Sequence, residues 1–563
     1  MTDLVPPGAA LYLGALLIPL LPRKLRPVWM LVLPVVGFLQ LLSIDHGQFL
    51  QFSLFQYQLT PVRVDALSLV FGYIFSLAAF IMVVYSLHVR DVVQQVASLV
   101  YAGTAIGAVF AGDLITLFVY WELTAISSVF LIWASKSKRS YRSGMRYLII
   151  QVGSGVLLMA GAILWAWNTG TIEFGHLGTA TLAGKLIFLA FGIKCAFPLL
   201  HNWLQDAYPE ATVTGTVFLS AFTTKLAVYA LARGYAGTES LIWIGATMSA
   251  FLSFYAVIEN DLRRVLAYSL NTQLGFMVVG IGIGTEMALN GTAAHAFTSV
   301  LYKALLFMSM GAVLYRTGTI KGSELGGLYK SMPYTTIFCI VGAASISGFP
   351  FFSGFISKSL IITAAADGHW ILTWFVLLFA SAGVFHHSGI RIPFFAFFAH
   401  DSGIRCKEAP WNMLLAMGAT AFACVFIGIF PGPLYRIMPF EVDYQPYTTT
   451  HVVTQFQLLL FSALAFSVLM RTGLYPKETP STNVDTDWIY RKMFPTAIHA
   501  FARTAGRARA AFDEAFFDRF DKFVSRVYRH YGPAGVFART WATGSSVIWV
   551  LVLLVLFLVL YYS

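Results

Sequence analysis

The sequence predicts an all-α polytopic membrane protein, and three observations lead there. Hydrophobic residues make up 58% of the 563 and charged residues only 11%, against roughly 25% charged in soluble domains. Apolar runs of about 20 residues, the length that crosses hydrocarbon as a helix, fill most of the chain before the polar stretch that begins at Pro476. Lys and Arg, which give a net charge of +11, gather in the short stretches between these runs. Their density alternates from one stretch to the next, which reads as membrane orientation under the positive-inside rule rather than as a nucleic-acid surface.

Sixteen spans are expected, near residues 6–22, 27–44, 65–87, 92–111, 113–134, 143–168, 182–206, 210–233, 239–258, 262–284, 288–315, 334–364, 370–398, 410–431, 452–470 and 545–562. The first is followed by Pro22-Arg-Lys-Leu-Arg, which fits a retained anchor helix. With the N-terminus external, the inner loops hold Arg23, Lys24, Arg26 and Arg90, then Lys136 to Arg146, Arg263, Arg264, Arg316, Lys321, Lys330, Arg405 and Lys407. The outer loops hold little more than Arg63, Lys185, Arg233 and Arg436. Pro198 follows Lys194 within the seventh span, and Gly348, Pro350 and Gly354 precede Lys358 in the twelfth. Proline removes a backbone donor, and broken helices in corresponding positions of two halves point to inverted repeats around a transport site. The organisation expected is N-terminal helices over 1–92, a first repeat over 93–235, a second over 236–400 and further helices over 401–475. A polar linker, Pro476-Lys-Glu-Thr-Pro-Ser-Thr-Asn, then opens a segment over 476–544. There Phe512, Phe516, Phe520, Phe523 and Val527 recur at helical spacing among Asp513, Arg519, Lys522, Arg526 and Arg529. That pattern is an amphipathic helix at the inner interface or against a neighbouring subunit. Residues 545–563 form a last span, anchored by Trp549, Tyr561 and Tyr562.

Titratable groups inside the spans carry the functional reading. Glu122, Lys194, Lys225, His295, Lys303 and Lys358 all fall within apolar runs, where a charge costs at least ~3 kcal/mol. Their default use is moving protons or small cations. Glu122 and Lys194 lie one helix apart in a repeat of this kind, so an ion pair that forms and breaks would let the lysine take and release a proton. His295 and Lys303 are eight residues apart, a little over two turns, and face about the same side; Thr298 and Ser299 between them can bridge. His386 and His387 offer an exit toward one side, and adjacent histidines on a helix point apart, which disfavours a metal. Asp206, Glu210 and Asp261 read either as entry funnels or as solvated loop acids, and Glu286 as an outer-loop acid.

Cys195, Cys339, Cys406 and Cys424 form no Cys-x-x-Cys pair and read as small core residues. The sequence has no phosphate-binding Gly-x-x-x-x-Gly-Lys-[Ser/Thr], no dinucleotide fingerprint and no His-Glu-x-x-His. No cofactor or metal is expected, and energy would come from an ion gradient or from partner subunits.

These motifs resemble the antiporter-like family shared by respiratory complex I and the multisubunit Mrp cation/proton antiporters. The resemblance covers about residues 60 to 430 and rests on several segments. They are Tyr120-Trp-Glu-Leu, Ile193-Lys-Cys-Ala-Phe-Pro-Leu-Leu-His-Asn-Trp-Leu-Gln-Asp-Ala, Asn260-Asp-Leu-Arg-Arg-Val-Leu-Ala-Tyr-Ser, Tyr302-Lys-Ala-Leu-Leu-Phe and Gly348-Phe-Pro-Phe-Phe-Ser-Gly-Phe-Ile-Ser-Lys. It implies that Glu122 is the fifth-helix glutamate, Lys194 the seventh-helix lysine and Lys225 the eighth-helix lysine. His295 and Lys303 take eleventh-helix positions and Lys358 that of the terminal lysine. The stretch after Lys225 looks most like the D-type component of Mrp antiporters. The C-terminal amphipathic segment and last span are similar to the largest antiporter-like subunit of complex I. Ser299 stands where some relatives have histidine. What the resemblance implies is an ion-translocating subunit of a bacterial inner-membrane Mrp-type antiporter. It would work with other membrane subunits, protons and a monovalent cation, and would not be an enzyme by itself. The alternatives are the proton channel of a complex I-like redox pump, or of an inorganic-carbon uptake complex with a carbonic-anhydrase-like partner.

Overall fold

A computed structural model describes residues 5–55, 57–475, 483–540 and 542–563. Helices dominate because backbone N–H and C=O groups in hydrocarbon must find partners within their own segment. The chain runs α1 (Ala9–Leu16), α2 (Arg26–Ser43), α3 (Ala66–Ser86), α4 (Val92–Val109), α5 (Leu114–Trp133) and α6 (Lys138–Thr169). It continues through α7 (Leu182–Lys194), α8 (Asn202–Ala207), α9 (Val213–Ala221), α10 (Thr223–Tyr235), α11 (Ser240–Ile258), α12 (Leu262–Ile283) and α13 (Glu286–Thr317). Then come α14 (Pro333–Ser347), α15 (Ser353–Asp367) and α16 (Ile371–Val384), a π-helical stretch Phe385–Ile390, and α17 (Arg391–Pro393). The helices α18 (Trp411–Ile429), α19 (Gly432–Tyr435) and α20 (Thr449–Thr472) complete this part.

Among the described residues, 13 helices are long and apolar enough to cross a membrane, and two shorter apolar helices accompany them. Each of the sixteen expected spans coincides with a helix or with a broken pair of helices. Three spans are broken rather than two: α7/α8, α9/α10 and α14/α15. Between α2 and α3 four short strands pair in two antiparallel ladders, β1 (Gly47–Phe49) with β4 (Val62–Val64) and β2 (Phe52–Leu54) with β3 (Tyr57–Leu59). Strands of three residues carry almost no periodic signal, so this stretch reads from sequence as an outer loop.

Helix starts follow ordinary capping. Asp65, Asp113, Asp261, Thr181, Thr212 and Thr285 each accept a backbone N–H of the first turn of the helix that follows. The most enclosed helices are α9, α10, α12 and α13, at the centre of the bundle.

The chain divides into two compact units, the first ending at Asn483 and the second covering Val484–Ser563. Most of the expected polar linker, residues 476–482, lies outside the described residues. The second unit holds α21 (Phe494–Tyr531) and α22 (Thr543–Tyr562). In α21 the rings of Phe512, Phe516 and Phe520 stack in succession along one face, each 6.2 Å from the next. Lys522 pairs with Asp518 at 2.6 Å on the same helix, so the expected amphipathic helix is present, over slightly different bounds.

Candidate functional site

The breaks in α7/α8 and α14/α15 are built alike. Ala196 N–H donates to Ile193 O and Phe197 N–H to Gly192 O; Gly348 N–H donates to Ser345 O and Phe349 N–H to Ala344 O. Both are Schellman stops, closed by a residue in the left-handed region. At 348 that residue is glycine (φ 70), but at 196 it is alanine (φ 62), which costs about 1–3 kcal/mol. Leu199 and Phe351 are also left-handed, at φ 69 and φ 72. The two breaks lie five spans apart, so the chain crosses them in opposite directions.

The third break has another cause. In α9/α10 the Thr223 N–H donates to the Tyr101 hydroxyl of α4 at 3.0 Å, and the Tyr101 and Thr223 hydroxyls lie 2.5 Å apart. An inserted side chain has taken a rung of the helical ladder. No proline or glycine marks the place, so nothing local announces it.

Each break carries or neighbours a buried lysine. Lys194, Lys225, Lys303 and Lys358 are at most 3% exposed. Lys225 Nζ donates to Ser220 O at 2.8 Å, a carbonyl in the last turn of α9 before the break. Lys358 Nζ donates to Ile346 O at 2.7 Å; four residues on is Pro350, which has no N–H to offer that carbonyl. Lys194 Nζ donates to Trp121 O at 2.7 Å and Thr124 Oγ1 at 3.1 Å, and stands 4.1 Å from the centre of the Trp121 ring. Lys303 Nζ donates to Ser269 Oγ at 2.7 Å. Each ammonium is met by backbone or hydroxyl oxygen, not by a carboxylate.

Glu122 departs from expectation. It makes no direct ion pair with Lys194, which turns instead to the neighbouring Trp121 carbonyl. One residue along a helix rotates a side chain by about 100°, and Glu122 projects toward α6. There Gly155 leaves it room: a Cβ at 155 would collide with Glu122 Oε1. That oxygen is buried without a hydrogen-bond partner, although the residue as a whole is only half-buried.

His295 and Lys303 do face one side, that of α12. His295 Nε2 is 3.1 Å from Gln273 Oε1 and its Nδ1 is 2.9 Å from Ser357 Oγ, while Lys303 meets Ser269, one turn from Gln273 on the same helix. Tyr302 OH donates to Gln273 Oε1 at 3.0 Å. Thr298 Oγ1 is 2.9 Å from Ser357 Oγ, next to Lys358. Ser299 does not bridge, because its hydroxyl donates to Ala296 O of its own helix at 3.0 Å. Asn271 Nδ2 donates to Ala196 O at 3.1 Å, joining α12 to the first break. The residues missed from the sequence are thus the uncharged ones: Thr124, Ser269, Gln273, Tyr302 and Ser357. Their one legible sign was the polar run Ser269-Leu-Asn-Thr-Gln inside an otherwise apolar span.

The loop acids have partners. Asp206 pairs with Arg146 at 2.7 Å and Glu210 with Arg139 at 2.7 Å, and Asp261 caps α12. They fix loops on the side of the membrane that holds the basic loop 134–146. Glu286 is exposed at the start of α13. Near Asp206 both amide atoms of Gln151 and of Gln205, and the Tyr208 hydroxyl, are buried without a hydrogen-bond partner, the condition in which water enters protein interiors. His386 and His387 point apart: the ring of His386 packs on Phe466 and Tyr475, each 5.5 Å away, and His387 is fully buried. Cys195, Cys339 and Cys424 are buried and Cys406 half-buried.

Residues 111–385 match the family described as NADH:quinone oxidoreductase/Mrp antiporter, TM. The chain is 29% identical over 488 residues to the A-type component of a Na+/H+ antiporter of Alkalihalophilus pseudofirmus, covering 75% of this chain and 60% of that one. It is 31% identical over 279 residues to the D-type component from the same organism, covering 46% and 56%. It therefore spans less than two thirds of either relative. The fold is similar to that in a Mrp complex from a Dietzia species, with a TM-score of 0.75 and 24% identity over 89% of this chain and 59% of that one.

Proposed function

We propose, for a polytopic membrane chain whose residues 111–385 match the NADH:quinone oxidoreductase/Mrp antiporter family, that it is an ion-translocating subunit of a multisubunit monovalent cation/proton antiporter. Protons pass along Glu122, Lys194, Lys225, His295, Lys303 and Lys358. The observation that carries this reading is the set of four fully enclosed lysines, each with its amine on a backbone or hydroxyl oxygen and three of them at broken helices. A buried ammonium without a carboxylate is expensive, so each amine is poised to give up a proton and recover it. Water reaching Gln151, Gln205 and Tyr208 supplies the axis from the side of the basic loops. That side is the cytoplasm by the charge bias, which puts the N-terminus outside in a bacterial inner membrane. Glu122, half-buried at the rim, is the end at which a neighbouring subunit couples.

Lys194→Ala and Glu122→Gln test this. In membrane vesicles that carry the assembled complex, each lowers proton flux by at least about tenfold. Wild-type flux in an assembled Lys194→Ala complex overturns the reading. The matched family's description, which names NADH:quinone oxidoreductase beside the Mrp antiporter, supports a second use of the same axis, as the proton channel of a redox pump. The subunits that copurify with the chain decide between the two, and a carbonic-anhydrase-like partner would instead mark an inorganic-carbon uptake complex.

A further inference from the structure

Beyond Lys303 a second line of hydrogen bonds leaves the axis. Lys303 Nζ is 2.7 Å from Ser269 Oγ. Ser388 Oγ donates to Ser269 Oγ at 2.7 Å, and His387 Nδ1 is 2.8 Å from Ser388 Oγ. All four residues are buried, and they come from three separate elements, α12, α13 and the π-helical stretch after α16. The π-helical stretch is itself informative. A single wide turn re-aims the side chains of a helix, and such turns gather at functional sites. Here it directs His387 and Ser388 inward and the half-buried His386 outward, against Phe466 and Tyr475. The Nε2 atoms of both histidines are buried without a hydrogen-bond partner.

We infer that Ser269, Ser388 and His387 form a side branch that carries protons between Lys303 and His387. The inference rests on the proton-translocating function proposed above. Ser388 already donates to Ser269 Oγ, which also accepts from the Lys303 ammonium; transfer toward the lysine follows once that amine is neutral and Ser269 turns its hydroxyl to it. Protonated His387 gives its Nδ1 proton to Ser388 Oγ, Ser388 gives its hydroxyl proton to Ser269 Oγ, and Ser269 gives its own to the neutral Lys303 amine. Three N–H or O–H bonds break and three form; His387 ends neutral and Lys303 ends as ammonium. The titratable and charged groups bearing on His387 are Lys303 from α13, Lys358 from α15, Arg391 from α17 and His386 from its own segment.

The test uses the whole complex in membrane vesicles, with proton flux read by a pH-sensitive dye. Lys303→Ala, which interrupts the axis itself, serves as the control. Ser388→Ala and His387→Gln each lower flux by about tenfold, and Ser388→Thr, which keeps the hydroxyl, restores it to within about twofold. Wild-type flux in Ser388→Ala, in a complex that Lys303→Ala still silences, overturns the branch and leaves the axis standing. Equal losses in Ser388→Ala and Ser388→Thr also overturn it, since the hydroxyl is then not the operative group. Should Ser388→Ala fail to assemble, His387→Gln interrupts the same line beyond Ser388 and is read in the same way. Full flux in Lys303→Ala would instead sink the function on which the branch depends.

Discussion

Glu122 and Gly155 show how much rests on a single atom. The carboxylate occupies space that exists only because residue 155 has no Cβ, and closing that space leaves Glu122 no room in its present rotamer. Gly155→Ala therefore displaces Glu122 toward the rim. Proton flux in assembled complexes falls several-fold, with little change in thermal unfolding, because alanine also favours the helix by about 1 kcal/mol over glycine. Unchanged flux would mean that the carboxylate need not be where it is. The lysines illustrate the opposite case, in which one side chain completes the backbone. Removing Lys358 takes the amine from the buried Ile346 O, which costs about 1–3 kcal/mol where nothing replaces it. The charged residues of the axis were legible because a charge in an apolar run is conspicuous. Ser269, Ser357 and Ser388 were not, because serine is ordinary in membrane helices and only its neighbours in space reveal its use.

Among the elements, two kinds of break serve one purpose. Pro198 and the Gly348–Pro350 pair announced theirs, since proline cannot continue a helical ladder. The α9/α10 break depends on Tyr101, more than a hundred residues away, and no local rule finds it. Tyr101→Phe returns the Thr223 N–H to its own helix. The expected result is a several-fold loss of proton flux and a melting temperature no lower than that of the parent; a parent-like flux would show that this break is incidental. At the other end of α10, Arg233 reaches Asp65 at 2.8 Å, tying that end to the cap of α3. Burial raises the Asp65 carboxyl, but the Arg233 hydrogen bond and charge outweigh it and hold the group below the usual carboxylate range. A folded value below the unfolded ~3.9 stabilises the fold above that pH, and the contribution is lost as the pH falls through the folded value. Asp65→Asn thus lowers the melting temperature at neutral pH and flattens its decline below about pH 4. An acid limb as steep as the parent's would assign that decline to other groups.

On the scale of the whole molecule, the count and order of spans followed from apolar run length, because the bilayer imposes that length on every crossing. The paired strands before α3 did not follow, since they are too short for periodicity to register. The second unit was legible as an amphipathic helix and a terminal span. Its amphipathic pattern suits either the inner interface or a neighbouring subunit, and the second use makes the integrity of the complex depend on it. Deleting residues 484–563 should leave a chain that inserts and melts much like the parent, while the complex separates on native gels. A complex of undiminished integrity would remove that role.

The lysines that hold the loose ends of α9 and α14 tie durability to idleness. Any substitution that knits those helices into unbroken rods satisfies the same carbonyls without a charge, and so makes the molecule hardier while silencing it. Screening variants of this chain for heat tolerance alone would enrich such repairs near residues 222 and 350, and the toughest survivors would conduct nothing.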